Sequence, residues 1–159
     1  MTAQVILIMG SKSDLAHAQA ITKVLKALEI PSVLRVCSAH KATSRLLELL
    51  NEYEQSGPLV YIGIAGRSNA LSAVLDANTR YPVISCPPYS DRFGGADIFS
   101  SLRLPSGIAT PTIIEPEGAA LMAAKILALS DSALAQRLAA YRQRFVDELS
   151  QADEEVQKL

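Results

Sequence analysis

A histidine followed by a lysine occurs in the stretch CSAHKATS, residues 37–44, directly after a run of apolar residues. An imidazole titrates near neutral pH, so His40 is a candidate general acid or base, and the Lys41 ammonium could hold an anion beside it. No Asp or Glu lies within several residues to form a familiar catalytic triad, and the sequence has no GxSxG motif. A solvated loop histidine is the alternative, and this stretch alone does not decide between the two.

A second polar stretch is GSKSD, residues 10–14. Its serines and Asp14 either cap the following helix or bind a ligand, and for this stretch alone capping is the favoured interpretation. Free N–H groups at the start of a helix favour a phosphate. A carboxylate repels phosphate but accepts hydrogen bonds from ribose hydroxyls, so serines together with Asp14 would suit a ribonucleotide. The stretch matches neither the P-loop nor the GxGxxG motif.

A third stretch, AGRSNALS, spans residues 65–72. Gly66 lets the backbone approach a ligand closely, and the forked Arg67 side chain suits a carboxylate or a phosphate. Ser68 either contacts the ligand or caps a helix. A fourth stretch, CPPYSDRFGG over residues 86–95, either covers a pocket or forms a long surface loop.

The elements that position these stretches alternate between strand and helix. Buried strands are predicted at residues 5–10, 31–38, 59–66 and 81–88, with a weaker fifth at 110–115. Helices are predicted at residues 15–30, 44–57, 69–78, 97–104 and 118–129, with a C-terminal helix at about 131–155. His17 falls near the edge of the first helix's apolar stripe and is interpreted as structural. This alternation predicts one three-layer α/β/α domain over residues 1–159, doubly wound and flavodoxin-like, with a parallel sheet of about five strands.

The composition argues against several classes of protein. Fifteen basic and sixteen acidic residues provide no basic field for nucleic acid or an anionic membrane. No window approaches the ~20 apolar residues of a membrane span, and the uncharged N-terminus is too short for a signal peptide and is interpreted as the first strand. Cys37 and Cys86 lack metal-ligand spacing and are interpreted as reduced, buried thiols of a cytoplasmic protein.

Five motifs in order, MGSKSD, SAHK, AGRSNALS, SCPP and SSLRLPSG, together resemble phosphoribosylaminoimidazole carboxylase of purine biosynthesis. The resemblance runs from about Val5 to Ala128. The chain looks most like the class II form, a carboxy-lyase that uses carbon dioxide directly. Class I relatives, which are mutases acting on the carboxyamino isomer, share GSxSD but typically carry Arg after the histidine and small residues after the third strand. Here Lys41 and the Arg67–Asn69 segment occupy those places.

The resemblance implies a substrate, aminoimidazole ribonucleotide, and a role for each loop. Ser11, Ser13 and the start of the first helix would bind the phosphate, and Asp14 would bind the ribose. The ring carbon next to the exocyclic amine attacks carbon dioxide, and His40 is similar to the family's general acid/base. Lys41 would serve either the phosphate or the new carboxylate.

The resemblance further implies no metal and no cofactor such as flavin, ATP or biotin, and a homo-octamer with sites near subunit interfaces. The predicted catalytic residues are His40 and Lys41, and the predicted substrate-binding residues are Ser11, Ser13, Asp14, Ser38, Lys41, Gly66, Arg67 and Ser68. Two alternatives remain: a class I mutase and a non-enzymatic flavodoxin-like binding module. A flavin site usually has aromatic walls, and only 5% of the residues are aromatic.

Overall fold

The computed structural model describes residues 4–159, which form four strands and six α-helices. The strands are β1 (Gln4–Met9), β2 (Ser32–Val36), β3 (Leu59–Ile64) and β4 (Val83–Ser85). The helices are α1 (Leu15–Ala27), α2 (Thr43–Tyr53), α3 (Leu71–Ala77), α4 (Phe99–Leu102), α5 (Pro116–Ala128) and α6 (Ser132–Val156). Residues 1–3, which the sequence assigns with the rest of the N-terminus to the first strand, lie outside the described residues.

The sheet is parallel, with the strand order β2-β1-β3-β4. This order winds the chain outwards in both directions from β1, as in flavodoxin-like folds. The two central strands, β1 and β3, are buried over nearly their whole length because their side chains are apolar on both faces. The predicted doubly wound α/β fold is therefore confirmed.

Two hydrophobic layers lie on opposite faces of the sheet. Val5, Leu7 and Met9 of β1 pack with α1, α5 and the first turns of α6. The alternate residues Ile6 and Ile8 face the other way and pack with α2 and α3. Because successive side chains of a strand point to opposite faces, one apolar run supplies both layers.

The predicted fifth strand is the main departure from expectation. Within residues 110–115 the structure has an isolated parallel bridge, Ser85 to Thr112. The Ser85 backbone donates to the Pro111 carbonyl and accepts from the Ile113 N–H, both at 2.9 Å. A longer ladder does not form because β4 is only three residues long and Pro111 has no N–H to donate.

The chain between β4 and α5 is also more irregular than predicted. The expected helix over residues 97–104 is reduced to α4, and a 3-10 segment, Arg92–Ile98, precedes it. Within that segment Phe93, Gly94 and Gly95 have φ values of 54°, 61° and 74°. These three consecutive residues are left-handed and interrupt the helical conformation, and Phe93 adopts this conformation without the freedom of glycine.

The C-terminal helix α6 packs through its first turns only. Asp131 caps it, with its carboxylate accepting from the Leu134 N–H at 2.9 Å. Leu134 and Leu138 are buried, whereas the later apolar residues Val146 and Leu149 are 53% and 72% exposed. Among the helices of residues 4–159, none combines the length and apolar character needed to cross a bilayer.

Candidate active site

The carboxyl ends of the four strands lie side by side at one edge of the sheet. Backbone hydrogen bonds of 2.9 Å continue the pairing just past the strand ends, from Gly10 N–H to Ile64, from Cys37 N–H to Met9 and from Cys86 N–H to Gly63. The loops that follow β1, β2, β3 and β4 therefore leave the sheet next to one another. Ligands of open parallel sheets bind at this edge, where the strand order reverses.

These loops enclose a cleft of about 730 Å³, within the ~300–1,000 Å³ typical of small-molecule sites. All nine residues predicted from the sequence to form the site line it: Ser11, Ser13, Asp14, Ser38, His40, Lys41, Gly66, Arg67 and Ser68. These nine residues come from three separate loops, those after β1, β2 and β3, and meet around one cavity. Their individual roles remain predictions.

His40 and Lys41 form the exposed tip of a tight turn between β2 and α2. The Ala42 N–H donates to the Ser38 carbonyl at 2.9 Å, and the Thr43 hydroxyl donates to the Ala39 carbonyl at 2.6 Å. These two bonds close the turn from both sides. The imidazole and the ammonium are consequently presented to the cleft by a fixed backbone.

In the first loop, residues 10–14, one residue caps the start of the helix and another keeps its side chain free for a ligand. Ser11 is the cap, because its hydroxyl oxygen accepts from the Ser13 N–H at 3.2 Å and from the Ser13 hydroxyl at 3.0 Å. Its own hydroxyl hydrogen is left for a ligand. Asp14 flanks α1 without a side-chain capping bond and accepts only from the Ser13 hydroxyl, at 3.4 Å, within the described chain. The interpretation of Asp14 as a helix cap is therefore wrong.

The loop after β3 is sharply bent at Ser68, whose φ is 51°. The Ala70 N–H donates to the Ser68 carbonyl at 2.7 Å, and in the described chain the Ser68 side chain makes no capping bond to α3, which begins at Leu71. Capping by Ser68 is therefore also wrong, and its exposed side chain lines the cleft. A Cβ at Gly66 would lie 3.2 Å from the Pro88 carbonyl oxygen, so the close approach made here is to the loop after β4.

The charges that line the cleft are of both signs. Lys41, Arg67 and Arg92 are exposed on its wall, and in the part of the chain that the structure describes none of them forms an ion pair. Asp14 and Asp97 supply the carboxylates. Three unpaired cations suit an anionic ligand, and an unsatisfied carboxylate suits a hydroxyl donor.

The loop after β4 contributes residues that the sequence did not single out. Tyr89, Arg92, Phe93 and Asp97 line the cleft, and Tyr89 and Phe93 are 78% and 84% exposed. The prolines and glycines of this stretch predicted a loop that could cover a pocket. They carried no signal of which side chains point into it.

Below the loops, His17 contacts Cys86 on the α1 side of the sheet. The His17 Nε2 lies 3.2 Å from the Cys86 sulfur. Burial lowers the pKa of His17, against opposing contributions from Asp14, Cys86 and Glu115. Burial also raises the pKa of the Cys86 thiol to about 12, so this cysteine is a neutral thiol. Cys37 and Cys86 are both free and buried, and His17 lies outside the cleft, as the sequence predicted for all three.

The fold and the cleft define a doubly wound α/β protein with a polar, cation-lined site at the switch point of its sheet. Comparison with known proteins gives the family. Residues 4–148 match the family model described as AIR carboxylase. The chain is 48% identical over 151 residues to phosphoribosylaminoimidazole carboxylase of Archaeoglobus fulgidus, covering 95% of this chain and 83% of that protein. It is 43% identical over 159 residues to the Treponema denticola protein of the same name, covering 99% and 100%.

Solved structures agree with this match. A crystal structure of a Treponema denticola PurE2 variant superposes with a TM-score of 0.95 at 43% identity, covering 98% of each chain. The chain therefore belongs to the AIR carboxylase family. The resemblance drawn from the five sequence motifs is confirmed, and so is the prediction that the protein is an enzyme.

Proposed function

We propose that the protein carboxylates 5-aminoimidazole ribonucleotide with carbon dioxide, giving 4-carboxy-5-aminoimidazole ribonucleotide without ATP, in purine biosynthesis. The observation that carries the proposal is the convergence of the nine predicted residues on one cleft. Family membership and the names of the relatives support the same reaction.

The substrate's ribose phosphate lies along the first loop. The Ser11 hydroxyl donates its hydrogen to a phosphate oxygen. The Ser13 hydroxyl, which donates to Ser11 in the structure, rotates to donate to a second phosphate oxygen. A short 3-10 turn, Lys12–Asp14, precedes α1. The positive end of this turn and of α1 favours the phosphate charge. Asp14 accepts from the ribose hydroxyls, which is consistent with a carboxylate that lacks a capping bond.

The aminoimidazole ring faces the turn that carries His40. The ring carbon next to the exocyclic amine attacks carbon dioxide, and a carbon–carbon bond forms while one carbon–oxygen double bond becomes a carboxylate. The ring carbon that made this attack is then tetrahedral and still carries its hydrogen. His40 takes that proton, and the electron pair of the broken carbon–hydrogen bond restores the aromatic ring.

The new carboxylate develops its charge beside the cations of the cleft. Arg67 can form two parallel hydrogen bonds with it, and Ser68 or Ser38 provides a further donor. Such contacts strengthen only as negative charge appears, so they stabilise the transition state more than bound carbon dioxide. Lys41 serves this carboxylate or the phosphate from the same turn.

Direct use of carbon dioxide, rather than rearrangement of the carboxyamino isomer, follows from the resemblance to the class II form. Its support in this chain is Lys41 next to His40 and Arg67 in the loop after β3. A carboxylase has no carboxylate to hold at the start of the reaction, so its cation is needed when the product carboxylate forms. Arg67 on the cleft wall is suited to this requirement.

We also propose that the enzyme is a cytoplasmic homo-octamer. The exposed apolar side chains of α6, among them Phe145, Val146 and Leu149, support burial against other subunits. The two free cysteines are consistent with a reducing compartment. Light scattering of the purified protein measures the subunit number directly, and a monomer would contradict the octamer.

The test of the activity is product formation from aminoimidazole ribonucleotide and dissolved carbon dioxide, in buffer that contains a chelator and no ATP. We expect carboxylated product in proportion to enzyme. No product at saturating carbon dioxide would refute the proposed reaction.

A further inference from the structure

A buried asparagine lies directly behind the cleft. Asn69 is 4% exposed and does not line the cavity, although it follows Arg67 and Ser68 in the chain. Its amide nitrogen donates to the Ser85 hydroxyl at 2.8 Å and to the Ser101 hydroxyl at 2.9 Å. Both hydrogens of the amide are therefore used in the protein interior.

Two further polar groups of Asn69, the amide oxygen and the backbone N–H, are also paired. The amide oxygen accepts from the Ser72 N–H at 3.4 Å, at the start of α3. The backbone N–H of Asn69 donates to the Ser100 hydroxyl at 2.9 Å. The Ser72 N–H needs an acceptor, which is the amide oxygen, and the Ser85 and Ser101 hydroxyls take the two amide hydrogens. The Asn69 side chain therefore acts as an acceptor and as a donor at the same time.

These bonds connect three parts of the site. Ser85 ends β4, and Ser101 lies in α4, which follows the loop of residues 86–98. This loop lines one side of the cleft and is called the covering loop. The Ser100 hydroxyl also donates to the Asp97 carbonyl at 2.7 Å. Asn69 thus ties the Arg67–Ser68 segment to the covering loop through side chains that are themselves anchored.

The hydrogen bonds of Asn69 lie next to a backbone residue in an unfavourable conformation. Ser68 has a left-handed φ of 51°, which a residue with a Cβ adopts only when its surroundings impose it. The next residue, Asn69, is held on both its backbone and its side chain. Fixing Asn69 fixes Ser68, and with it the direction in which Arg67 leaves the loop.

We propose that Asn69 is a positioning residue for carboxylation, holding Arg67 and Ser68 over the cleft and joining them to the covering loop. The inference rests on the proposed function, because the groups it positions are those assigned to the developing carboxylate. The phosphate and ribose groups on the first loop do not depend on it. Loss of the amide should therefore slow the reaction more than it weakens ribonucleotide binding.

The experiment compares Asn69→Ala with Asn78→Ala, an exposed asparagine at the end of α3 whose amide donates to the Val74 carbonyl. We expect Asn69→Ala to lower kcat by about tenfold to a hundredfold, as for a small misplacement of a catalytic group. The Kd for aminoimidazole ribonucleotide should change by no more than a few-fold, and Asn78→Ala should behave as wild type. A folded Asn69→Ala enzyme with wild-type kcat, or with equal losses of kcat and affinity, would overturn the proposal.

Two further measurements keep the outcome decisive. If Asn69→Ala does not fold, Ser101→Ala takes its place, because it removes only one acceptor of the amide. A lowered kcat with retained affinity in Ser101→Ala supports the positioning role of Asn69, and an unchanged kcat refutes it. Hydrogen exchange of residues 86–98 is measured without substrate. Faster exchange in the variant supports the tie and unchanged exchange overturns it, even if the wild-type enzyme fails to carboxylate the ribonucleotide.

Discussion

Replacing Asp14 by alanine separates ligand binding from helix capping. Asp14 flanks α1, yet its carboxylate caps no backbone N–H and accepts only a 3.4 Å bond from Ser13 within residues 4–159. A carboxylate offers about four acceptor positions. Most of that capacity faces the cleft unused, so the variant should lose ligand contacts rather than protein contacts.

The expected magnitudes follow from that geometry. A lost N-cap costs ~1 kcal/mol of unfolding free energy, but Asp14 makes no such cap. Its interaction with the helix dipole leaves a loss of about 0.3–1 kcal/mol. A hydrogen bond to a charged group is worth about 1.5–3 kcal/mol, which corresponds to a roughly ten- to hundredfold rise in the Kd for the ribonucleotide.

Calorimetric titration with aminoimidazole ribonucleotide and thermal unfolding of the same samples provide the two measurements. The matched control is Asp131→Ala, because Asp131 does cap a helix, with a 2.9 Å bond to the Leu134 N–H, and lies outside the cleft. That variant should lose ~1 kcal/mol of stability and keep its affinity. Unchanged affinity with a lowered melting temperature in Asp14→Ala would refute the assignment of Asp14 to the ribose.

Three further predictions concern proton transfer to His40, the half-buried His17 and the contact of Gly66 with the covering loop. His40→Asn should lower turnover by about a hundred- to ten-thousandfold while ribonucleotide binding stays within a few-fold, as measured by steady-state kinetics and titration. Burial lowers the pKa of His17 below its unfolded value, so the stability from neutral His17 is present above about pH 6.5 and is lost as pH falls below it. His17→Gln should therefore show a smaller drop in melting temperature than wild type between about pH 7.5 and about pH 5. Gly66→Ala should lose about 1 kcal/mol or more of unfolding free energy in denaturant titration, because its Cβ would press on the Pro88 carbonyl at 3.2 Å.

Each of these predictions has a result that contradicts it. His40→Asn with more than roughly a tenth of the wild-type rate would remove His40 as the base. Equal pH dependence in His17→Gln and wild type would show that this histidine carries no linked stability. Gly10→Ala is the control for Gly66→Ala, because its Cβ would meet Ala65 at an ordinary 3.4 Å. Equal stability of the two glycine variants would mean that Pro88 yields without cost.

The layout of the fold was predictable because its strands are long apolar runs. β1 and β3 are buried on both faces, and that pattern places them at the centre of a parallel sheet. Once the strands alternate with helices, their carboxyl ends must share an edge, so the four loops were expected to meet. The family resemblance, rather than periodicity, then assigned chemistry to residues such as His40 and Asp14.

What the sequence could not predict depends on contacts between distant segments. The predicted fifth strand is reduced to a single bridge because its partner strand, β4, has only three residues. The length of β4 cannot be read from residues 110–115. Asn69 directly follows Arg67 and Ser68, which line the cleft, yet beyond the left-handed Ser68 it lies in the interior. Its partners Ser85 and Ser101 are 16 and 32 residues away, and no local pattern joins them.

The central claim is that carbon dioxide, not a carboxyamino isomer, supplies the carboxylate. The most direct test supplies aminoimidazole ribonucleotide and the carboxyamino isomer separately to the same enzyme preparation and measures initial rates. With the ribonucleotide, the rate should rise with dissolved carbon dioxide, and the isomer should be a poor substrate. Efficient conversion of the isomer, indifferent to added bicarbonate, would contradict direct carboxylation while leaving the fold and the cleft unchanged.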